Sequence, residues 1–228
     1  MVGPLGDNAT PSKITHVFFL EDAQYVGIGL PGESAGFYNF TNLNTLYFPE
    51  NMTSLKYLGI SSFFLTGQLE GIINFPDSIE YIGDNAFANS GVKFTTLPAN
   101  VSYLGQGAFS ACFHLELTNV PPKVTQIPAS AFNYCSSLRM SQFGRNINST
   151  FAAEDNNIEY IGSNAFAMAG TNHITEICLE NSIKYLNADK PFVDFGSSYG
   201  LTVRDRSGLI NDSNLQNYFG VRDNITLI

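Results

Sequence analysis

The chain has 228 residues, is 44% hydrophobic but only 14% charged, and carries a net charge of −9. Its apolar content excludes a disordered chain, and its negative charge argues against a nucleic-acid backbone or an anionic membrane surface as partner. No apolar run approaches the roughly 18–20 residues of a membrane helix, and residues 1–20 lack the basic start and long apolar core of a signal peptide, so the expectation is either a cytosolic protein or a domain trimmed to its mature form.

In chain order, residues 1–36 fit no repeating pattern, and Thr15 to Leu20 reads as a strand able to cap the first coil of a repeat array. Gly27 and Gly29 lack the rest of a dinucleotide fingerprint and read as a turn. Leu43 to Phe48 reads as a short strand, ended at Pro49 because proline has no N–H to give to a ladder. A motif then recurs. Phe75-Pro-Asp-Ser-Ile79-Glu-Tyr81-Ile82-Gly83-Asp-Asn-Ala86-Phe87 returns as Leu97-Pro-Ala-Asn-Val101-Ser-Tyr103-Leu104-Gly105-Gln-Gly-Ala108-Phe109, and again from Val120 through Ile127 and Pro128 to Ala131-Phe132. A copy without the leading proline runs from Ile158 to Phe166, and worn copies run from Leu55 to Phe63 and from Ile183 to Phe192. The equivalent phenylalanines, Phe37, Phe63, Phe87, Phe109, Phe132, Phe166 and Phe192, are spaced by 26, 24, 22, 23, 34 and 26 residues. A period near 23 residues falls in the leucine-rich-repeat range of about 20 to 29, and the long spacing holds an insertion at about 144–157.

Each coil is expected to lay down a strand, turn at the proline, and lay down a second extended piece such as Ile79 to Ile82 with its apolar residues inward. Gly83 is expected to permit a tight bend. Asp84 or Asn85 is expected to cap a single helical turn that carries Ala86 and Phe87 into the core. The phenylalanines then stack as a structural spine, because one coil cannot bury its own apolar side. In the middle coils the usual apolar strand position is polar (Thr95, Thr118, Ser141) and the residue before it is apolar (Phe94, Leu117, Met140). The favoured reading is a local register shift that keeps the apolar residues inside; the alternative is an exposed apolar stripe. Leu201 to Val203, Leu215 to Tyr218 and Ile225 to Ile228 read as a closing strand, short helix and strand. The chain is expected to be one structural domain, with a cap at 1–36, repeats at 37–192 and a second cap at 193–228.

These recurring proline, isoleucine-glycine, alanine-phenylalanine and cysteine positions resemble the BspA-like leucine-rich-repeat family from about Phe37 to Phe192. The resemblance implies an α/β solenoid: a right-handed coil with a parallel concave sheet, short strands, single helical turns and about six to seven repeats. It also implies a surface or secreted protein of bacteria or protists, associated with adhesion and host contact. The family offers no catalytic residues to carry over.

The candidate chemistry is sparse. His16, His114 and His173 lack a nucleophile or acid at a recognised catalytic spacing, and no catalytic, cofactor-binding or metal-binding residue is assigned. Cys112, Cys135 and Cys178 make a poor disulfide framework and are expected to be reduced. Cys112 and Cys135 take the place held by Thr66, Ser90 and Ala169 in other coils, so small-residue packing explains them. Partner binding is expected on the concave strand face, in an outward column of Tyr47, Asn74, Thr96, Asn119, Gln142 and Cys178. A second outward column contains Lys93, Glu116 and Arg139, whose alternating signs suit pairing across the sheet. The insertion is the other candidate; its apolar residues Ile147 and Phe151 are expected to tuck back onto the core, with Phe151 kept as a contact residue. Asn-x-Ser/Thr occurs at Asn8, Asn39, Asn51, Asn100, Asn148, Asn211 and Asn224. The expected function is a non-enzymatic, monomeric surface or secreted adhesion module for a protein or matrix ligand on a host surface, without cofactor, nucleic acid or membrane insertion. The alternatives are an intracellular or periplasmic scaffold and a carbohydrate-binding module, the latter needing more exposed aromatics than Tyr47 alone.

Overall fold

The structure is a computed structural model that describes residues 13–26, 36–148, 156–171, 173–196, 200–220 and 224–228. Among them the chain forms strands β1 (His16–Phe18), β2 (Tyr25–Val26), β3 (Thr45–Tyr47), β4 (Tyr57–Leu58), β5 (Gly71–Ile73), β6 (Tyr81–Ile82), β7 (Tyr103–Leu104), β8 (Gln126–Ile127), β9 (Gln142–Phe143), β10 (Tyr160–Ile161), β11 (Glu176–Leu179), β12 (Tyr185–Leu186) and β13 (Leu201–Asp205), then helix α1 (Leu215–Phe219) and β14 (Ile225–Leu227). All pairings are parallel. Successive coils of one solenoid bond to the coils before and after them.

Each coil visits three faces. The strand face carries β1-β3-β5 and, further along, β9-β11-β13-β14. The second face carries β2-β4-β6-β7 and β8-β10-β12. The third is a face of turns and not of helices. Along Asn85 to Asn89 alternate N–H groups bond across to the next coil, as Phe87 N–H to the Ala108 carbonyl at 2.8 Å, and back along their own chain, as Ala88 N–H to the Asn85 carbonyl at 3.1 Å. Helical N–H groups that bond do so along their own chain, four residues back; here alternate donors go to the neighbouring coil and the others only three residues back. The expected single helical turns are therefore absent, and α1 is the one helix among the described residues. Asn85 and Asn89 adopt left-handed φ of 52° and 57°, a conformation asparagine tolerates better than most side chains. Neither acts as a helix cap, and Asp84 Oδ1 accepts the Gln106 N–H of the next coil at 2.8 Å.

The phenylalanines stack through the interior. Ring centroids lie 5.5 Å apart for Phe37–Phe63, 5.1 Å for Phe63–Phe87, 5.4 Å for Phe87–Phe109, 5.6 Å for Phe109–Phe132, 5.4 Å for Phe132–Phe166 and 5.5 Å for Phe166–Phe192. Phe219 of α1 continues the row at 5.3 Å from Phe192. Three residues on, the thiols of the middle coils are satisfied: Cys112 Sγ donates to the Phe87 carbonyl at 3.0 Å and Cys135 Sγ to the Phe109 carbonyl at 3.1 Å. Burial pushes the Cys112 thiol up to about 12 and Cys135 well above the ordinary range. All three cysteines are free.

Gly83 answers a need for close approach and not for an unusual φ. A Cβ there would stand 2.8 Å from the Gly59 carbonyl carbon. Gly59, Gly83, Gly105 and Gly162 form one column, in which Gly83 N–H donates to the Leu58 carbonyl, Gly105 N–H to Ile82 and Gly162 N–H to Ile127, each at 2.8 Å. Pro128 occupies the same place in its coil. It has no N–H to give to the Leu104 carbonyl, and its ring stands where neighbouring coils leave room only for glycine. β7 and β8 accordingly do not pair.

The strand face is interrupted for a different reason. Leu117 and Met140 are fully buried, Thr118 and Ser141 are exposed, and Phe94 is half-buried against the core. The apolar residues thus stay inside, one position earlier than Leu46 and Ile177. Because side chains alternate faces at every residue, a shift of one position turns the strand over. Residues 92–97 and 115–120 form no strand, and single bonds, Thr118 N–H to Thr95 carbonyl and Arg139 N–H to Leu117 carbonyl at 3.1 Å each, cross this stretch.

Candidate functional sites on two faces of the solenoid

On the strand face, Phe18, Tyr47 and Ile73 are partners across β1, β3 and β5. The Phe18 and Tyr47 rings stack at 4.5 Å and 8°, and Phe18 is 71% exposed and Ile73 44%. Asn74 falls outside the column that the repeat spacing assigns to it. Its coil holds one residue more between Leu69 and Pro76 than neighbouring coils do, and Asn74 absorbs the surplus with a left-handed φ of 56° while its amide donates to the Phe48 carbonyl at 3.2 Å. Further along, Gln142, Cys178 and Arg204 align across β9, β11 and β13. Thr96 is exposed and Asn119 half-buried.

The charged column pairs between coils, though not wholly as its signs suggest. Arg139 meets Glu116 at 3.0 Å, whereas Lys93 turns to Glu70 of the preceding coil at 2.7 Å, and Arg204 meets Glu176 at 3.1 Å. The hydrogen bond from Lys93, helped by its charge, holds the Glu70 carboxyl below the usual carboxylate range. The sequence reading missed Glu70 because it precedes the clearest motif copy. It also missed Asn156. This fully buried side chain closes the insertion by accepting the Gly144 N–H at 2.7 Å and donating to Asn119 Oδ1 and the Gln142 carbonyl at 2.9 Å each. Ile147 does not tuck back: it is 56% exposed, because the local bonds run from the insertion backbone to Asn181 and Ser182 and leave the side chain outside. Phe151 lies outside the described residues.

The second face carries a row that the sequence reading passed over. Tyr25, Tyr57, Tyr81 and Tyr103 are register partners in β2, β4, β6 and β7, and Tyr160 and Tyr185 in β10 and β12. Tyr81 and Tyr103 stack at 4.4 Å and 2°, Tyr160 and Tyr185 at 4.8 Å and 4°. Partial burial, with the Tyr103 hydroxyl next to it, pushes the Tyr81 phenol up to about 12. Gln126 stands between the two stacks, in register with Tyr160. The flanking charges are paired, Lys56 with Glu80 at 2.9 Å and Lys184 with Glu159 at 2.7 Å. A surface cavity of about 620 Å³ lies beside the row, lined by Asn51, Lys56, Asn74, Asp77 and Asn100 among others. His16, His114 and His173 are exposed and far apart in the coil order, and among the described residues no three His, Cys, Asp or Glu side chains gather as a metal-binding group.

Comparison with known proteins fits this architecture. A leucine-rich cell surface protein of Faecalibacterium prausnitzii A2-165 has a similar fold, with 19% identity and a TM-score of 0.55 over 84% of this chain and 55% of that one. A leucine-rich repeat protein of Bacteroides ovatus ATCC 8483 is similar over 95% of this chain and 61% of its own, with 19% identity and a TM-score of 0.54. The chain thus spans less than two thirds of either structure. No curated protein matches it. The model of the BspA type leucine rich repeat region matches six copies across residues 56–190, and with most of its coils inside that match, the chain belongs to the BspA-type leucine-rich-repeat family.

Proposed function

We propose that this chain is a non-enzymatic interaction module of a surface or secreted protein, binding a protein or matrix partner through its strand face. The observation that carries the reading is the row Phe18, Tyr47 and Ile73. An exposed aromatic ring, a half-buried one stacked on it and an exposed aliphatic side chain stand in register at one end of an otherwise polar face. Aromatic anchors surrounded by polar groups are the usual energetic centre of a protein interface. Beyond the row, Thr96, Asn119, Gln142 and the paired Lys93, Glu116 and Arg139 supply a polar rim. The strands beneath are held by their neighbours, so little ordering entropy is lost on this side when a partner binds. Family membership and the cell-surface neighbour support a location outside the cell.

The test begins with a partner recovered by pull-down from host-surface extracts and identified. Affinities are then compared for Tyr47→Ser, for the combined Lys93→Ser, Glu116→Ser and Arg139→Ser variant, and for a variant with the insertion cut to a short Gly-Ser turn. Tyr47→Ser is expected to weaken binding at least tenfold. Full affinity in all three folded variants would refute the assignment of the strand face. An intracellular scaffold predicts instead that protease added to intact source cells leaves the chain uncleaved.

A further inference from the structure

The tyrosine face has a rung missing at a place where the coils also fail to bond. Tyr103 ends one stack and Tyr160 begins the other. One face of Tyr103 lies on Tyr81, so its other face looks along the row toward Gln126. One face of Tyr160 lies on Tyr185, so its other face looks back toward the same residue. The two rings stand about two strand spacings apart, roughly 10 Å. With carbon contacts of about 4 Å on each side, that leaves room for one flat ring.

The floor of this slot is polar and incompletely bonded. Tyr103 N–H donates to the Glu80 carbonyl at 3.2 Å and Gly105 N–H to Ile82 at 2.8 Å. Among the described residues no backbone bond repeats these from Gln126 or Pro128 to the Ser102 and Leu104 carbonyls. The Gln126 N–H and those two carbonyls therefore remain available, beside the exposed side chains of Ser102, Thr125 and Gln126. In the column that holds Ser102 and Thr125, the flanking charges are already neutralised in the Lys56–Glu80 and Glu159–Lys184 pairs.

We propose that the gap between Tyr103 and Tyr160, over Gln126, is a binding slot for a pyranose unit of a neutral glycan. A sugar ring has two faces of C–H groups to lie against tyrosine and a rim of hydroxyls that both donate and accept. The slot offers that combination: two aromatic walls, unpaired backbone acceptors, an unpaired N–H, an amide and two hydroxyls. The pairing of these four charges lowers the attraction for an ionic polymer. An aromatic side chain of a partner protein would fill the same space but would leave the free carbonyls and N–H without partners, which is costly where water is excluded. The slot is separate from the strand face, so this assignment and the protein-binding one succeed or fail independently.

Affinity electrophoresis of the whole chain through gels containing laminarin, hydroxyethyl cellulose, yeast mannan or dextran, with heparin as the charged control, provides the test. At least one neutral polysaccharide is expected to retard the protein. Tyr103→Ala is expected to lower that affinity tenfold or more. Gln126→Tyr fills the missing rung and is expected to lower it similarly without loss of fold, while Tyr57→Ala, away from the slot, and Tyr47→Ser, on the strand face, keep it. Thermal melts verify that each variant is folded. The proposal is overturned if no neutral polysaccharide retards the protein, if heparin alone does, or if the folded Gln126→Tyr variant binds as well as the parent. It is also overturned if N-acetylphenylalanine amide, and no sugar, perturbs the tyrosine fluorescence of the parent but not of Gln126→Tyr; that result would assign the slot to a protein side chain.

Discussion

Phe109→Ala tests the stacking that organises this solenoid. Phe109 is fully buried, stacked at 5.4 Å on Phe87 and 5.6 Å on Phe132, and met edge-on by Phe94 at 5.9 Å. Truncation removes three ring contacts, each contributing about 0.5–1.5 kcal/mol beyond area burial, together with the transfer free energy of the ring itself. The flanking rings have little freedom to close the gap, because Phe87 N–H and Phe132 N–H are each tied to the next coil at 2.8 Å. The expected cost is in the usual range for a buried phenylalanine, about 3–5 kcal/mol. For a chain of this length it corresponds to a fall in Tm of about 6–20 °C. Urea titration followed by far-ultraviolet circular dichroism measures it, read at constant m so that the difference reports stability alone. Tyr103→Ala is the comparison: that ring is 46% exposed with one stacked neighbour, and its loss should cost only about 0.5–1.5 kcal/mol. A loss below about 1 kcal/mol at Phe109 would refute the claim that the stacked rings carry the core.

Glycine substitutions should separate close approach from open space. Gly83→Ala, whose Cβ would meet Gly59 backbone at 2.8 Å, is expected to cost about 1–3 kcal/mol. Gly67→Ala, with nothing within 4 Å, should be neutral or stabilising by up to about 1 kcal/mol in the same melts. Thiol titration should find three reactive thiols in denaturant, with Cys112 and Cys135 unreactive in the native chain; one thiol in denaturant would show a bridged pair. Burial raises the folded pKa of Cys112 to about 12, while the unfolded thiol titrates near about 8.5. Its contribution is therefore intact below about pH 8.5 and is lost as pH rises toward 12. Cys112→Ala should flatten the alkaline decline in Tm, and an unchanged decline would place its origin elsewhere.

The parts of the fold visible in the sequence were those that recur at a fixed phase. Ala-Phe pairs and Ile-Gly pairs mark the core because every coil needs a ring and a close approach at the same place. Phe219 was hidden because it sits in a helix outside the motif. The turn face was misread as helical because sequence shows the inward Ala and Phe but not the partner of each N–H. Asn74 was misplaced because one extra residue shifts its column. The tyrosine row went unnoticed for a subtler reason: in Ile-Glu-Tyr-Ile the isoleucines signal the buried side, and the residue facing away is read as solvent-facing whatever it is. That six of seven coils place tyrosine there acquires meaning only when coil stacking brings the rings together.

Pro128 and the register shift at Phe94, Leu117 and Met140 have a joint consequence. The strand face loses its ladder between the coil of β5 and residues 92–97, and at the next boundary, between the coils of β7 and β8, the second face opens as well while a single backbone bond, Thr118 N–H to the Thr95 carbonyl, crosses the strand face. The turn face remains bonded across both boundaries, through Phe87 N–H to Ala108 and Phe109 N–H to Ala131. The gaps on these two faces therefore coincide between the coils of β7 and β8, where the turn face carries the backbone continuity. Under tension between its ends such an array yields first at that shared joint, and the intact bonds of the turn face keep the two halves from parting.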